Sequence, residues 1–148
     1  MFKAIVIGTD GSETARRAVG DAVALAESIG AKLLVVSVYE AVSDVRLREE
    51  RDDVAEDTDW VFNRRDDVLA MLEETAGEAR SAGVPEVETF ARQGDPADAI
   101  LDVAEEQQAD LIMVGNRGMT GKRRFLLGSV PNKISHNAPC SVLIVKTT

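Results

Sequence analysis

Lys3-Ala4-Ile5-Val6-Ile7-Gly8, followed at once by Thr9-Asp10-Gly11-Ser12, is the stretch whose reading decides the fold. A β-branched apolar run that halts at a glycine reads as a buried strand. The four residues behind it are turn and helix-capping types. Beyond them Ala15, Ala18, Val19, Ala22, Ala26 and Ile29 recur at helical spacing, and Gly30 stands where a helix stop belongs. Strand, tight turn and helix make one unit, and most of the chain repeats it.

Leu33 to Val38 is a second apolar strand. From Glu40 to Asp59 the periodicity is lost, and Arg46, Arg48, Glu49, Glu50, Arg51, Asp52 and Asp53 form a charged run that reads as solvated loop or frayed helix. A helix follows with Val61, Val68, Leu69, Leu72, Ala76 and Ala79 on one face, ended by Gly83-Val84-Pro85. Val87 to Ala91 is the third strand. Asp95-Pro96 supplies a cap and a first-position proline to a helix faced by Ala97, Ile100, Leu101 and Ala104. Leu111 to Val114 is the fourth strand, closed by Gly115; Ser129 begins a short last helix, and Val142 to Val145 is the fifth strand. Five apolar strands, mostly separated by helices, predict an α/β fold: one doubly wound five-stranded parallel sheet with helices on both faces. With no linker, repeat or low-complexity segment, residues 1–148 read as one domain.

Composition narrows the function classes. A chain of 148 residues buries enough surface to need no metal or disulfide staple, and its one cysteine, Cys140, can make no internal disulfide. The net charge of -9 sets a field that repels nucleic acid. The twelve arginines against five lysines fit a protein kept soluble in high salt as well as an ordinary acidic one. No apolar run approaches the ~20 residues of a membrane span, and Gly8 and Asp10 come too early for a secretory signal. The expected address is cytoplasmic, with neither nucleic acid nor membrane as partner.

Ligands of doubly wound sheets bind outside the carboxyl ends of the strands, where the strand order reverses. Two loops at those ends stand out. One is Gly8-Thr9-Asp10-Gly11-Ser12. The other runs from Gly115 through Asn116, Arg117, Gly118, Met119, Thr120, Gly121, Lys122, Arg123 and Arg124 to Gly128-Ser129-Val130. In the second, Gly115, Gly118 and Gly121 allow close backbone approach, and Gly128-Ser129-Val130 opens a helix whose first N–H groups favour an anion. Arg117, Lys122, Arg123 and Arg124 add positive charge. These features describe a polyphosphate cradle; a structural glycine loop with solvated arginines reads equally well from composition. A Walker loop is excluded, since Asn116 and Arg123 occupy positions that need glycine and Ser/Thr. The dinucleotide fingerprint fails after the first strand, where Gly8 and Gly11 are wrongly spaced.

The spacing that fits is Gly115, two residues, Gly118, nine residues, Gly128, then Ser129. This pattern resembles the ATP-binding signature of the universal stress protein family. Val6-Ile7-Gly8-Thr9-Asp10-Gly11-Ser12-Glu13 resembles that family's opening strand and turn, and His136-Asn137-Ala138-Pro139-Cys140-Ser141-Val142-Leu143-Ile144-Val145 its closing strand. The resemblance implies a Rossmann-like domain that binds ATP with magnesium or manganese. Gly8, Thr9, Asp10 and Val38 would hold adenine and ribose, with Asp10 accepting from ribose or helping to hold the ion; read by itself, Asp10 is also a helix cap. Gly115, Asn116, Arg117, Gly118, Thr120 and Gly121 would lie along the phosphates, and Gly128, Ser129 and Val130 would bind the terminal ones. A homodimer through the last strand, carried by Val142 and Ile144, and an unidentified regulatory protein partner are implied with it. Pro131, Asn116 and Ser141 depart from the family's usual residues. No catalytic residue stands out, so a nucleotide-responsive regulator is expected; a slow ATPase or phosphotransferase, and a member acting by protein contacts without nucleotide, are the alternatives. His136 reads as a helix-end surface residue, Cys140 as buried, and Trp60 and Phe62 as helix packing. A receiver domain is excluded because it needs an acidic cluster where this chain has Asp10 alone.

Overall fold

The computed structural model describes residues 1–41, 63–116 and 127–147. Five parallel strands, β1 (Ala4–Gly8), β2 (Lys32–Tyr39), β3 (Val87–Gln93), β4 (Leu111–Gly115) and β5 (Ser141–Val145), alternate with α1 (Glu13–Ile29), α2 (Arg65–Ser81), α3 (Pro96–Glu106) and α4 (Ser129–Asn137), α1 joining β1 to β2 and so onward. The sheet order is β3-β2-β1-β4-β5, so the chain walks outward from β1 in one direction and then returns to continue on its other side. The switch point is the β1–β4 pair.

Alternation along the strands builds two cores. Ile5, Ile7, Leu33, Val35, Leu111 and Met113 face α1 and α2; Val6, Leu34, Val36, Ile112 and Val114 face α3 and α4. Ile5, Ile7, Leu33, Leu34 and Ile112 are fully buried, each worth about 1.5–3 kcal/mol over exposure. Register keeps the layers matched: Ile5 lies between Leu33 and Leu111, and Ile7 between Val35 and Met113. On α1 the buried face is Ala18, Ala22 and Ala26, a row of small residues four apart that lets the helix lie close on the sheet.

The local signals act as expected. Ser12 caps α1, its side chain accepting from the Ala15 N–H, and Gly30 ends it in the left-handed conformation at φ 72, where its N–H returns to the Ala26 carbonyl. Asp95 caps α3 with Pro96 in its first turn. Two expectations need correction. The helix expected from Val61 starts at Arg65, and Val61 lies outside the described residues. Leu69 is 39% exposed, because the inward face of α2 is Val68, Leu72, Ala76 and Ala79 and Leu69 sits one step round the helix.

Candidate functional site at the strand-order switch

At the carboxyl ends of β1 and β4 a narrow crevice is lined by Gly8, Asp10, Gly115, Val130 and Thr147, with Ser12 at its side. On the β1 side the turn satisfies itself. Thr9 Oγ1 accepts from the Gly11 N–H (3.1 Å), and Asp10 Oδ1 accepts from the Ser12 N–H (2.9 Å). Gly11 takes φ 79 there, which glycine adopts without strain. Thr9 and Asp10 are both buried. The reading of Asp10 as the cap of α1 gives way to a finer division: Asp10 makes the turn and Ser12 makes the cap. Asn63 Nδ2 donates to the Asp10 carbonyl (3.1 Å), and the Glu40 N–H donates to the Asn63 carbonyl (3.2 Å). The chain returning after residue 62 is thus tied to the site. Nothing in the sequence marked Asn63.

Val38 lies on β2, two residues past the last residue that β1 pairs with. The Thr9 N–H donates to the Val36 carbonyl (2.9 Å), and the last β1–β2 register pair is Gly8 with Val36. Same-side peptide groups recur every second residue of a strand, so those of Val38 point to the β1 side just beyond the end of β1. Its side chain is buried in the α3–α4 core.

On the β4 side, Gly115 ends the strand and Asn116 is buried. Asn116 Oδ1 accepts from the Thr147 N–H (2.8 Å) and from the Thr147 hydroxyl (3.2 Å), while its own N–H donates to the Val145 carbonyl (3.0 Å). The carboxamide oxygen of this expected phosphate neighbour is therefore turned to the segment after β5. Across the crevice α4 begins with Gly128 as its N-cap, at φ −60 and ψ 165, with no side-chain cap and no acidic residue in its first turn. Val130 and Pro131 are buried in that turn, and Ser129 is exposed. Lys133, one residue further into the helix than Asn132, turns its cation to α3, 2.8 Å from Asp98 and 3.3 Å from Asp95; the hydrogen bond to Asp98 leads in raising its pKa.

Of the expected site residues, the crevice brings together Gly8, Asp10, Gly115 and Val130; Asn116, Gly128 and Ser129 adjoin these along the chain, Thr9 lines a cavity with Gly11 and Met71, and Val38 lies on β2. Arg117, Gly118, Thr120 and Gly121, with Lys122, Arg123 and Arg124, lie outside the described residues, as do Trp60 and Phe62. Among the described residues no group of three His, Cys, Asp or Glu side chains could hold a metal ion. Asp10, with Oδ1 engaged by Ser12, fits a divalent ion only as one carboxylate beside phosphate oxygens and water. No described helix is long and apolar enough to cross a membrane. His136 is exposed in the last turn of α4, and Cys140 is half-buried, its thiol pKa pushed up by burial and by the charge of Asp110.

A doubly wound sheet with its crevice at the β1–β4 switch defines the class, and comparison with known proteins gives the family. The model of the universal stress protein family matches residues 1–146, and the chain belongs to that family. A universal stress protein of Thermus aquaticus is 41% identical over 147 residues, covering 99% of this chain and 100% of its own. One from Mycobacterium tuberculosis is 36% identical over 148 residues, covering 99% of this chain and 98% of its own. Among solved structures, a universal stress protein in complex with cAMP superimposes with a TM-score of 0.72 at 31% identity, over 99% of this chain and 98% of that one.

Proposed function

We propose that this chain binds ATP, accompanied by magnesium or manganese, at the β1–β4 crevice and acts as a nucleotide-responsive regulator. The observation that carries the reading is the amino end of α4. It begins on a glycine, without a capping side chain or an acidic first-turn residue, so the positive end of its dipole faces the crevice with no negative charge of its own first turn, which favours an anion there. Val130 of that turn lines the same crevice as Gly8, Asp10 and Gly115. The terminal phosphates would meet Gly128, Ser129 and Val130, with Pro131 in the third helical position contributing no N–H. Arg117, Gly118, Thr120 and Gly121 would wrap the remaining phosphates, and the peptide groups of Val38 would read the adenine edge. Asp10 would serve the ribose or, through the phosphates, the ion. The cAMP carried by a similar structure supports an adenine nucleotide as the ligand class and makes cAMP the competitor to test against ATP.

Two copies would pair along β5, one of the two edge strands of the sheet. Val142 and Ile144, expected to carry that contact, are half-buried with the α3–α4 core, whereas Leu143 is 43% exposed; Leu143 joins them as the apolar group at this edge.

Mass spectrometry of ligand retained through native purification, followed by calorimetric titration with ATP, cAMP and GTP, tests the function. Saturable ATP binding that Gly118→Val abolishes supports it. Preference for cAMP would replace ATP as the ligand, and failure to bind any of the three at millimolar concentration would end the nucleotide reading. Sustained hydrolysis near ~1 per second would move the protein to the enzymes.

A further inference from the structure

Thr147 lies two residues beyond β5 and is 4% exposed. Its N–H and hydroxyl both donate to Asn116 Oδ1, at 2.8 and 3.2 Å, and its carbonyl accepts from Arg17 Nη1 at 3.2 Å. Three contacts from two elements hold this one residue. Its place is the crevice itself: it lines the opening with Gly8, Asp10, Gly115 and Val130. A Cβ added to Gly115 would lie 3.4 Å from Thr147 Cγ2 and 3.5 Å from Thr147 Oγ1. The bare face of Gly115 is thus covered by Thr147. Thr147 therefore forms the wall of the crevice that lies against Gly115.

We infer that Thr147 is an internal occupant of the ligand crevice, a strap that nucleotide must displace to lie against Gly115; this rests on the nucleotide reading given above. Displacement breaks the bonds to Asn116, so Asn116 becomes available to the ligand as the tail is released. The strap follows β5 directly, since Val145 pairs with Gly115 and its carbonyl accepts from Asn116. Occupancy of the crevice is thereby transmitted to the end of the edge strand. By linkage, whatever loosens the strap strengthens nucleotide binding, and nucleotide loosens the strap by the same factor.

Two uncharged substitutions test this without altering the electrostatics. Thr147→Gly removes the methyl and hydroxyl, and Thr147→Pro removes the N–H. Each should bind ATP about three- to tenfold more tightly than the unaltered chain in calorimetric titration, the worth of one net hydrogen bond. In the unaltered chain, saturating ATP should speed amide exchange at Thr147, which decides the matter even if a variant fails to fold. Equal or weaker affinity in folded variants, or exchange at Thr147 unchanged or slowed by ATP, overturns the strap while leaving the nucleotide reading intact. Absence of ATP binding in all three proteins overturns both.

Discussion

The amino ends of α1 and α4 open onto the same crevice and are built in opposite ways. Helix α1 is closed by its own residues: Ser12 accepts from the Ala15 N–H, Asp10 accepts from the Ser12 N–H, and Glu13 adds negative charge to the first turn. Helix α4 begins on Gly128 with neither device. The other two helices fall on the side of α1, since α3 has the Asp95 cap and Asp98, and α2 carries Asp66 and Asp67 in its first turn. Among the four described helices, α4 is the one whose dipole meets no negative charge of its own first turn. The difference teaches where an anion would meet least opposition: at the helix end whose first turn carries no negative charge.

The strongest way to break that contrast is to finish α4 as its neighbours are finished. Gly128→Asp places a carboxylate at a cap position whose extended backbone suits it. ATP affinity should fall about tenfold or more, roughly 1.4 kcal/mol, through repulsion of the terminal phosphate, while stability to urea holds or rises. Retained affinity in a folded variant would remove α4 from the site. The converse is Ser12→Ala, which unfinishes α1. It should cost about 1 kcal/mol of stability, within the usual range of roughly 0.5–2 for a lost cap, and move ATP affinity much less. A large affinity loss with little loss of stability would make Ser12 a ligand contact.

A third test uses the other end of the same strand pair. There Asp110 closes β1, its carboxylate accepting from the Lys3 and Ala4 N–H groups at 2.9–3.1 Å. Burial pushes its pKa up, but the N–H groups of Ala4 and Lys3 outweigh it, and the net shift is downward from 3.8. A carboxyl with a depressed folded pKa contributes stability above its unfolded value and loses it as pH falls through the folded one. Asp110→Asn should therefore be less stable than the unaltered chain at neutral pH, and the gap should narrow as urea melts are taken down through the carboxylate range. A gap independent of pH would show that the charge is immaterial. ATP affinity should not change, since this end of the pair is closed.

Much of the fold was legible because its determinants are local. The runs Leu33–Val38 and Leu111–Val114 can be satisfied only by burial on both faces. Gly30 and Asp95-Pro96 mark helix ends through backbone conformation and capping, which depend on a few neighbouring residues. Gly115 marked the end of β4, and Gly128-Ser129 marked the start of α4. Asn63 and Thr147 were not legible, because each acts through partners 53 and 31 residues away, Asp10 and Asn116, at distances no spacing rule reaches. Leu69 misled for a related reason: an apolar side chain declares a preference for burial, but whether anything covers it depends on the neighbouring elements.

The sequence by itself determined that alternating strands and helices would make a doubly wound sheet, with two glycine-bearing turns at strand ends. It did so because apolar periodicity, capping and turn chemistry are short-range. Only the tertiary structure decided that β1 and β4 are neighbours, that Gly8 and Asp10 therefore share one crevice with Gly115, and that Thr147 lines it. Strand order and the docking of a tail arise from packing among elements far apart in the chain, where burial and hydrogen bonding of the whole domain select a single arrangement.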